Sequence, residues 1–396
     1  MLTTATLALG SLLCGGGQAQ PGAAPVAELV AGNNAFAFDL YGRLAAQTQS
    51  NVVFSPYSVS LALGMTYAGA AGNTAKEMER ALHFSMPPAD VHRAFASLLA
   101  REKAKFVPKF YELNVANALW PQKGYELKPA FVQLVREKYD AGMQELDFAA
   151  AREAARKTIN QWVEERTKGK IVELLRPPHI TDATRLVLTN AIHLKGPWLN
   201  PFPQEATLKA MFQMTPGKKV PVYMMSQSGK LRYAADDTLQ VLDLPVGKGG
   251  VSMLIVLPRK VDGLAALEKS LTYERLENLR KQMKDTMLGV QLPRFKVQSD
   301  FDLVEPLSAL GMPSAFGAGA DFSGMASKGG LFVSAVVHKA FLDVQEKGIE
   351  AAAATAVVMT KSAPLTVFRA DHPFLYVIRE NSSGSILFMG RLKDPS

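Results

Sequence analysis

Cysteine is nearly absent from this chain. Cys14 is the only one in 396 residues. Beyond it there is no disulfide, no thiol nucleophile and no cysteine-based metal site, so packing must carry the stability. Linkers are missing too. After residue 28 no Pro/Gly/Ser tract, charge run or repeat divides the sequence, which argues for one large domain. Past the N-terminus no apolar run is long enough to span a membrane. Enzyme signatures are also lacking. There is no Gly-x-Ser-x-Gly elbow and no Ser-x-x-Lys. The six histidines (83, 92, 179, 193, 338 and 372) never form His-Glu-x-x-His. Gly317-Ala-Gly319 and Gly247-Lys-Gly249-Gly250 lack the third glycine of a nucleotide loop and read as turns. These gaps argue against an enzyme, and no cofactor or metal is expected. A hydrolase with dispersed catalytic groups stays open as a reading from another class.

What is present describes a folded globular protein. Hydrophobic residues make up 48% and charged residues 20%. The net charge is +8, but Lys and Arg are spread along the chain and mixed with acids. That suits a solvated surface better than a nucleic-acid footprint. The densest basic stretch is Arg101, Lys103, Lys105 and Lys109.

Residues 2 to 13 are apolar and small, and Gly15 to Gln20 follow. This reads as a secretory signal cleaved after Ala19, although no Lys or Arg precedes the apolar run. Cys14 could suggest a lipid-modified cysteine, but Leu13 before it is larger than such sites usually accept, and the two readings stay open. The expectation is a signal at 1–19, a single domain at 20–396, and a secreted or extracytoplasmic protein.

Helices dominate the first half. Phe36, Leu40 and Leu44 recur at four-residue steps within Glu28 to Thr48. Ser55-Pro56 supplies a cap and a first-turn proline for the next helix. Thr74 with Glu77 reads as a capping box, and Asp90 as a further cap. Helices are expected over Pro129 to Tyr139, Ala151 to Thr167 and Phe301 to Leu310. Strands follow from Leu186 to Leu194. They continue at Val220 to Met225, Leu231 to Ala234, Leu239 to Leu244, Val251 to Leu257, Leu288 to Val297, Leu331 to Val344, Phe374 to Arg379 and Ser385 to Leu392. This segregation argues for an α+β fold.

Between the strands at Leu331 and Phe374 lies a long connection, Glu346 to Pro373. Connections of this length inside a compact chain are usually functional or disordered. Its first half is almost all small side chains. At period two, Ile349, Ala351, Ala353, Thr355, Val357 and Met359 share one uncharged face, while the single charge, Glu350, lies opposite. Such a segment can enter a sheet as a strand without burying a charge. An exposed Ala-rich helix is the competing reading.

The run Glu346-x-Gly348-x-Glu350-Ala351-Ala352-Ala353-Ala354-Thr355 resembles the hinge of an inhibitory serpin's reactive loop. Val336-Val337-His338-Lys339-Ala340 and Ala370-Asp371-His372-Pro373-Phe374 resemble its flanks, and the likeness extends over almost the whole chain after residue 28. The resemblance implies a serpin fold with three β-sheets, eight or nine helices and an exposed loop. It implies a monomeric suicide inhibitor of serine proteases of trypsin-, elastase-, chymotrypsin- or subtilisin-like type. The cut loop would insert into the main sheet and drag the acyl-enzyme with it. A carrier or chaperone without inhibitory activity, or an inhibitor of cysteine proteases, is the alternative within the family.

Counting from Glu346, or back from Pro373, places the bait bond at Ser362-Ala363. Lys361-Ser362 is the alternative and would suit a trypsin-like pocket. Ile349 stands where the family usually has threonine, and its bulk bears on insertion rate. Ser55, Ser58, Asn190 and His338 match the residues beneath the opening of the main sheet. For Ser55 an ordinary helix cap, and for His338 a satisfied core histidine, are the plain readings. Lys195-Gly196-x-Trp198 matches the segment where the loop first enters, and Arg294 is the expected partner of Glu346 in a surface-type pair. In some family members the region of Arg101 to Lys109 binds heparin-like polyanions.

Overall fold

The computed structural model describes residues 23–105, 111–350 and 366–396. The signal-like N-terminus, Lys109, Ala351 to Thr355, Lys361, Ser362 and Ala363 lie outside the described residues. Among the described residues the helices are α1 Ala23–Gln47, α2 Pro56–Tyr67, α3 Gly72–Ala81, α4 Pro88–Lys105, α5 Pro129–Tyr139, α6 Arg152–Arg166, α7 Leu264–Ser270, α8 Tyr273–Gln282 and α9 Val304–Ala309. The strands are β1 Val52–Phe54, β2 Glu112–Pro121, β3 Gly142–Met143, β4 Leu186–Pro197, β5 Leu208–Thr215, β6 Lys218–Ala235, β7 Leu239–Val246 and β8 Val251–Pro258. They continue as β9 Lys284–Pro293, β10 Phe295–Asp302, β11 Val333–Gln345, β12 Gly348–Ile349, β13 Thr366–Arg369, β14 Phe374–Glu380 and β15 Ile386–Leu392. No described helix is long and apolar enough to cross a membrane.

Local chemistry explains most starts and stops. Ser55 caps α2, its Oγ accepting from the Ser58 N–H at 3.1 Å, and Pro56 opens the first turn. Every residue of α2 is buried, which is why its sequence has no polar stripe. Three sequence readings need correcting. α3 begins at Gly72, so Thr74 lies inside it, its Oγ1 accepting from the Asp321 N–H while Glu77 accepts from Ser314. Asp90 sits in the first turn of α4 and does not precede the helix. The strand expected over Leu288 to Val297 is two strands that separate at Arg294 and join different sheets.

Among the described residues the main sheet has six strands, in the order β10-β11-β12-β4-β2-β3. Its central pair, β11 and β4, runs parallel from Val333 opposite Leu186 to Phe341 opposite His193. α6 lies across one face. Ile159, Val163 and Trp120 pack there on Ala116, Ala118, Ala191, Ala335 and Val337. Small side chains on the sheet let the helix approach closely. The other face meets α2 and the larger core. The remaining nine strands form one hydrogen-bonded network. Of three implied sheets, two are thus joined, because the 18-residue β6 runs through both, pairing β5 along its first part, β9 from Met224 to Tyr233 and β7 at its end.

Candidate functional site

The run expected to form a hinge begins where β11 ends. After Gln345 the chain turns tightly through Glu346 and Lys347 and comes back down as β12. β12 is antiparallel to both neighbours. Ile349 lies opposite Val344 on one side and Gly196 on the other; Gly348 lies opposite Gln345 and Pro197. A two-residue strand is therefore wedged into the top of the β11–β4 seam, while the same two strands pair directly below it. Ile349 is fully buried. Gly348 has φ +149°, and a Cβ there would stand 2.2 Å from the Gly196 oxygen, so only glycine fits.

Hydrogen bonds from Trp198, Arg294 and Thr207 clamp the turn above the wedge. The Trp198 indole Nε1 donates to the Gln345 carbonyl at 2.8 Å, and its backbone N–H donates to that of Lys347 at 3.0 Å. Glu346 is expected in a surface-type pair but is buried, with 3% of its surface exposed. Its Oε1 accepts from Arg294 Nε at 2.5 Å and Thr207 Oγ1 at 2.6 Å. Burial works against the carboxylate, yet these hydrogen bonds prevail and hold its pKa below the ordinary value. Arg294 also lies over the Tyr223 ring, 5.4 Å from its centroid.

Below the wedge the chain leaves the sheet at Glu350, whose backbone is left-handed with φ +49°. Its N–H still donates to the Asp343 carbonyl at 2.9 Å. Its carboxylate contacts His193 Nε2 on β4 and Lys170 Nζ, just past α6. Burial raises its pKa, but the Lys170 and His193 contacts outweigh that and keep it lowered. His193 belongs to the topmost direct β11–β4 pair, with Phe341. Glu350 is thus tied to the first residue that must move if the wedge is driven deeper.

Further down, buried polar side chains form a row across three strands. His338 on β11 is opposite Asn190 on β4, and Asn190 is opposite Asn117 on β2. His338 Nε2 accepts from the Ser55 N–H at 3.0 Å, and Nδ1 faces the Asn190 Oδ1. Asn190 Nδ2 donates to Ser58 Oγ at 2.7 Å and to Asn117 Oδ1 at 2.8 Å. Ser58 Oγ donates to Asn117 Oδ1 at 2.8 Å. His338 is wholly buried, and desolvation pushes its pKa down to about 3, so it is neutral with its proton on Nδ1. The start of α2 thus sews the seam shut from beneath.

A split parallel pair, a hinge wedged at its top and a polar row below are matched by homology. The family model described as Serpin (serine protease inhibitor) covers residues 31–395.

The chain belongs to the serpin family.

It is 42% identical to the leukocyte elastase inhibitor of Bos taurus over 379 residues, spanning 93% of this chain and all of that one. It is 42% identical to Serpin B6 of Macaca fascicularis over 376 residues, 93% of this chain and 99% of the other. Among solved structures, Serpin48 of the insect Tenebrio molitor superposes with a TM-score of 0.83 at 32% identity, covering 93% of this chain and 98% of that one. The similarity corrects the expectation of a secreted or extracytoplasmic protein. Leukocyte elastase inhibitors and serpin B members are intracellular serpins without signal peptides.

Ser55, Ser58, Asn190 and His338 are brought together, and Trp198, Arg294 and Glu346 meet at the hinge turn. Asn117, His193, Lys170 and Thr207 were not anticipated from sequence. Asn117 and His193 had a signal: each is a polar residue flanked by apolar ones, Ala116 and Ala118 or Ile192 and Leu194, within a buried run of its strand. Lys170 and Thr207 had none, being loop residues brought in by tertiary structure. In the basic stretch, Lys103 is paired with Asp140, and the Lys105 side chain and all of Lys109 lie outside the described residues.

Proposed function

We propose that this serpin is an irreversible, suicide-type inhibitor of a serine protease, acting as a monomer of one domain, residues 20–396. A protease attacks the loop at Ser362-Ala363, or at Lys361-Ser362 if its pocket is trypsin-like. The acyl-enzyme then rides on the loop as Ala351 to Met359 follow Ile349 into the seam.

The observation that carries this reading is β12. Gly348 and Ile349 already stand as an antiparallel strand between β11 and β4, so the sheet accepts the start of the loop before any cut. About fifteen extended residues span roughly 50 Å, enough to run the length of the seam. Each added ladder bond contributes about 0.5–1.5 kcal/mol, so a dozen rival a whole domain's stability. Ala351 to Ala354 keep steric resistance to entry low. In this reading Glu346, Gly348 and Trp198 fix the turn, Arg294 holds Glu346, and Ser55, Ser58, Asn190 and His338 hold the lower seam closed until the strand arrives.

The test is to mix the protein with trypsin, chymotrypsin, elastase and subtilisin, with papain as a cysteine-protease arm. A complex that survives SDS, with close to one inhibitor consumed per protease, supports the proposal. Loop cleavage without a complex refutes it and leaves the carrier or chaperone reading. Turnover of a substrate without self-consumption would instead support a hydrolase. N-terminal sequencing of the cleaved form decides between the two bait bonds. The polyanion ligand is weakened by the Lys103–Asp140 pair. Elution from heparin that ignores added salt would remove it.

A further inference from the structure

The outer face of the nine-stranded sheet at its β13 edge, the strand that follows the loop, is unusually apolar. Val367, Met287 and Leu199 are 53%, 48% and 47% exposed. They rim a groove of about 920 Å³. Its floor is made of small residues. Ser228 on β6 is opposite Gly289 on β9, and Gly289 is opposite Val367 on β13; Gly229 lies beside them.

The fold does not demand these two glycines. Neither has a left-handed backbone. A Cβ on Gly229 would meet nothing within 4 Å, and one on Gly289 would meet only Val367 Cγ2 at an ordinary 3.7 Å. Glycine inside a strand costs about 0.5–1 kcal/mol against alanine and often marks close approach by another chain. The groove is also close to neutral. It carries Glu205 and Lys230, and Lys230 is paired with Asp285 at 3.1 Å.

We propose that this groove is a second docking surface for the target protease, receiving an uncharged, apolar loop beside the protease's cleft on the leaving-group side. The inference rests on the bait-bond reading given above. Val367 is only four residues beyond Ala363, at most about 14 Å of extended chain. A protease that holds Ser362-Ala363 in its cleft must therefore place its body over β13. The open floor and the apolar rim lie within the area it covers.

Two independent variants test this. Val367→Ser with Met287→Ser strips the rim, and Gly229→Leu fills the floor where there is open space. Whichever of elastase, chymotrypsin, trypsin and subtilisin forms the SDS-stable complex with the wild type is the probe. Each variant should lower the second-order association rate at least about tenfold. Inhibitor consumed per protease and thermal midpoint should stay unchanged, because the insertion machinery is untouched. Cleavage of a free peptide spanning residues 355–369 should not distinguish the mutated rim from the native one. Unchanged association rates in both variants overturn the groove while leaving the inhibitor reading intact. If the wild type forms no complex with any of the four, the inhibitor reading fails and this inference falls with it. A concentration-dependent dimer that the variants abolish, with rates unaffected, would assign the groove to a second copy of this chain.

Discussion

His338 makes the strongest demand on the physical chemistry. Its Nε2 accepts from the Ser55 N–H at 3.0 Å, and its Nδ1 faces the Asn190 oxygen, so the ring has one place for a proton and no place for two. Adding the second would set an N–H against the Ser55 N–H inside a buried seam. The folded pKa is accordingly depressed to about 3, against an unfolded value near 6.5. Below the unfolded value the unfolded chain binds a proton that the folded one refuses. Stability from this group is therefore complete above pH 6.5 and lost progressively as pH falls towards 3. At pH 5 the loss is about 2 kcal/mol, and at pH 3 it is about 4 kcal/mol. The assay is denaturant unfolding at pH 7.5 and pH 5.0, comparing wild type with His338→Gln, whose amide can donate and accept but does not titrate. The wild type should lose about 2 kcal/mol more than the variant over that interval. His92, pushed down to about 4 by desolvation, titrates in both proteins and cancels in the difference. Equal losses would show that His338 is not held neutral by its surroundings, and the account of the lower seam would fail.

Other outcomes can be checked directly. Cutting the loop between residues 355 and 363 should raise the thermal midpoint by more than about 10 °C as the strand inserts; an unchanged midpoint would remove the proposed driving force. Glu350→Ala frees the hinge from His193 and Lys170, so spontaneous conversion to an inactive, more heat-stable form should accelerate at least about fivefold, corresponding to about 1 kcal/mol. Loss of inhibitory activity on incubation at 45 °C measures it. Asn117→Ala leaves Asn190 and Ser58 with lost partners and should cost about 2–3 kcal/mol in denaturant unfolding. Gly348→Ala cannot be accommodated against Gly196 and Pro197, so residues 346–350 should become a site of rapid limited proteolysis.

Reading the residues in order went far where the signal was local. Ser55-Pro56 announces the start of α2, and the apolar run from Leu186 announces β4, because capping and strand burial are decided within a few residues. It failed where distant partners decide. Thr74 looks like a cap by spacing but is recruited by Asp321, 247 residues away. Arg294 looks like mid-strand yet marks the point where the chain changes sheets, which only the surrounding strands can dictate. Glu346 looks like a surface acid, but Thr207 and Arg294 hold its carboxylate and the Phe202 N–H its carbonyl. Of the candidate site, the small-residue run after Glu346 stood out in the sequence, and the tie of Glu350 to His193 and Lys170 did not. Nothing in the order of residues reveals which loop passes above a given strand.

The hairpin at Glu346 and Lys347 sets a direction of travel. Because β12 returns antiparallel to β11, any chain drawn in after it can only advance from the Trp198 end of the seam towards the His338 end. Thirteen residues separate Ile349 from Ser362 in the sequence. At about 3.3 Å each, whatever is bonded to Ser362 finishes roughly 43 Å from where the hinge now sits. In the proposed inhibitor reading, a single turn of backbone would convert a peptide-bond cleavage into long-range transport of the attached protein away from the Trp198 end of the seam.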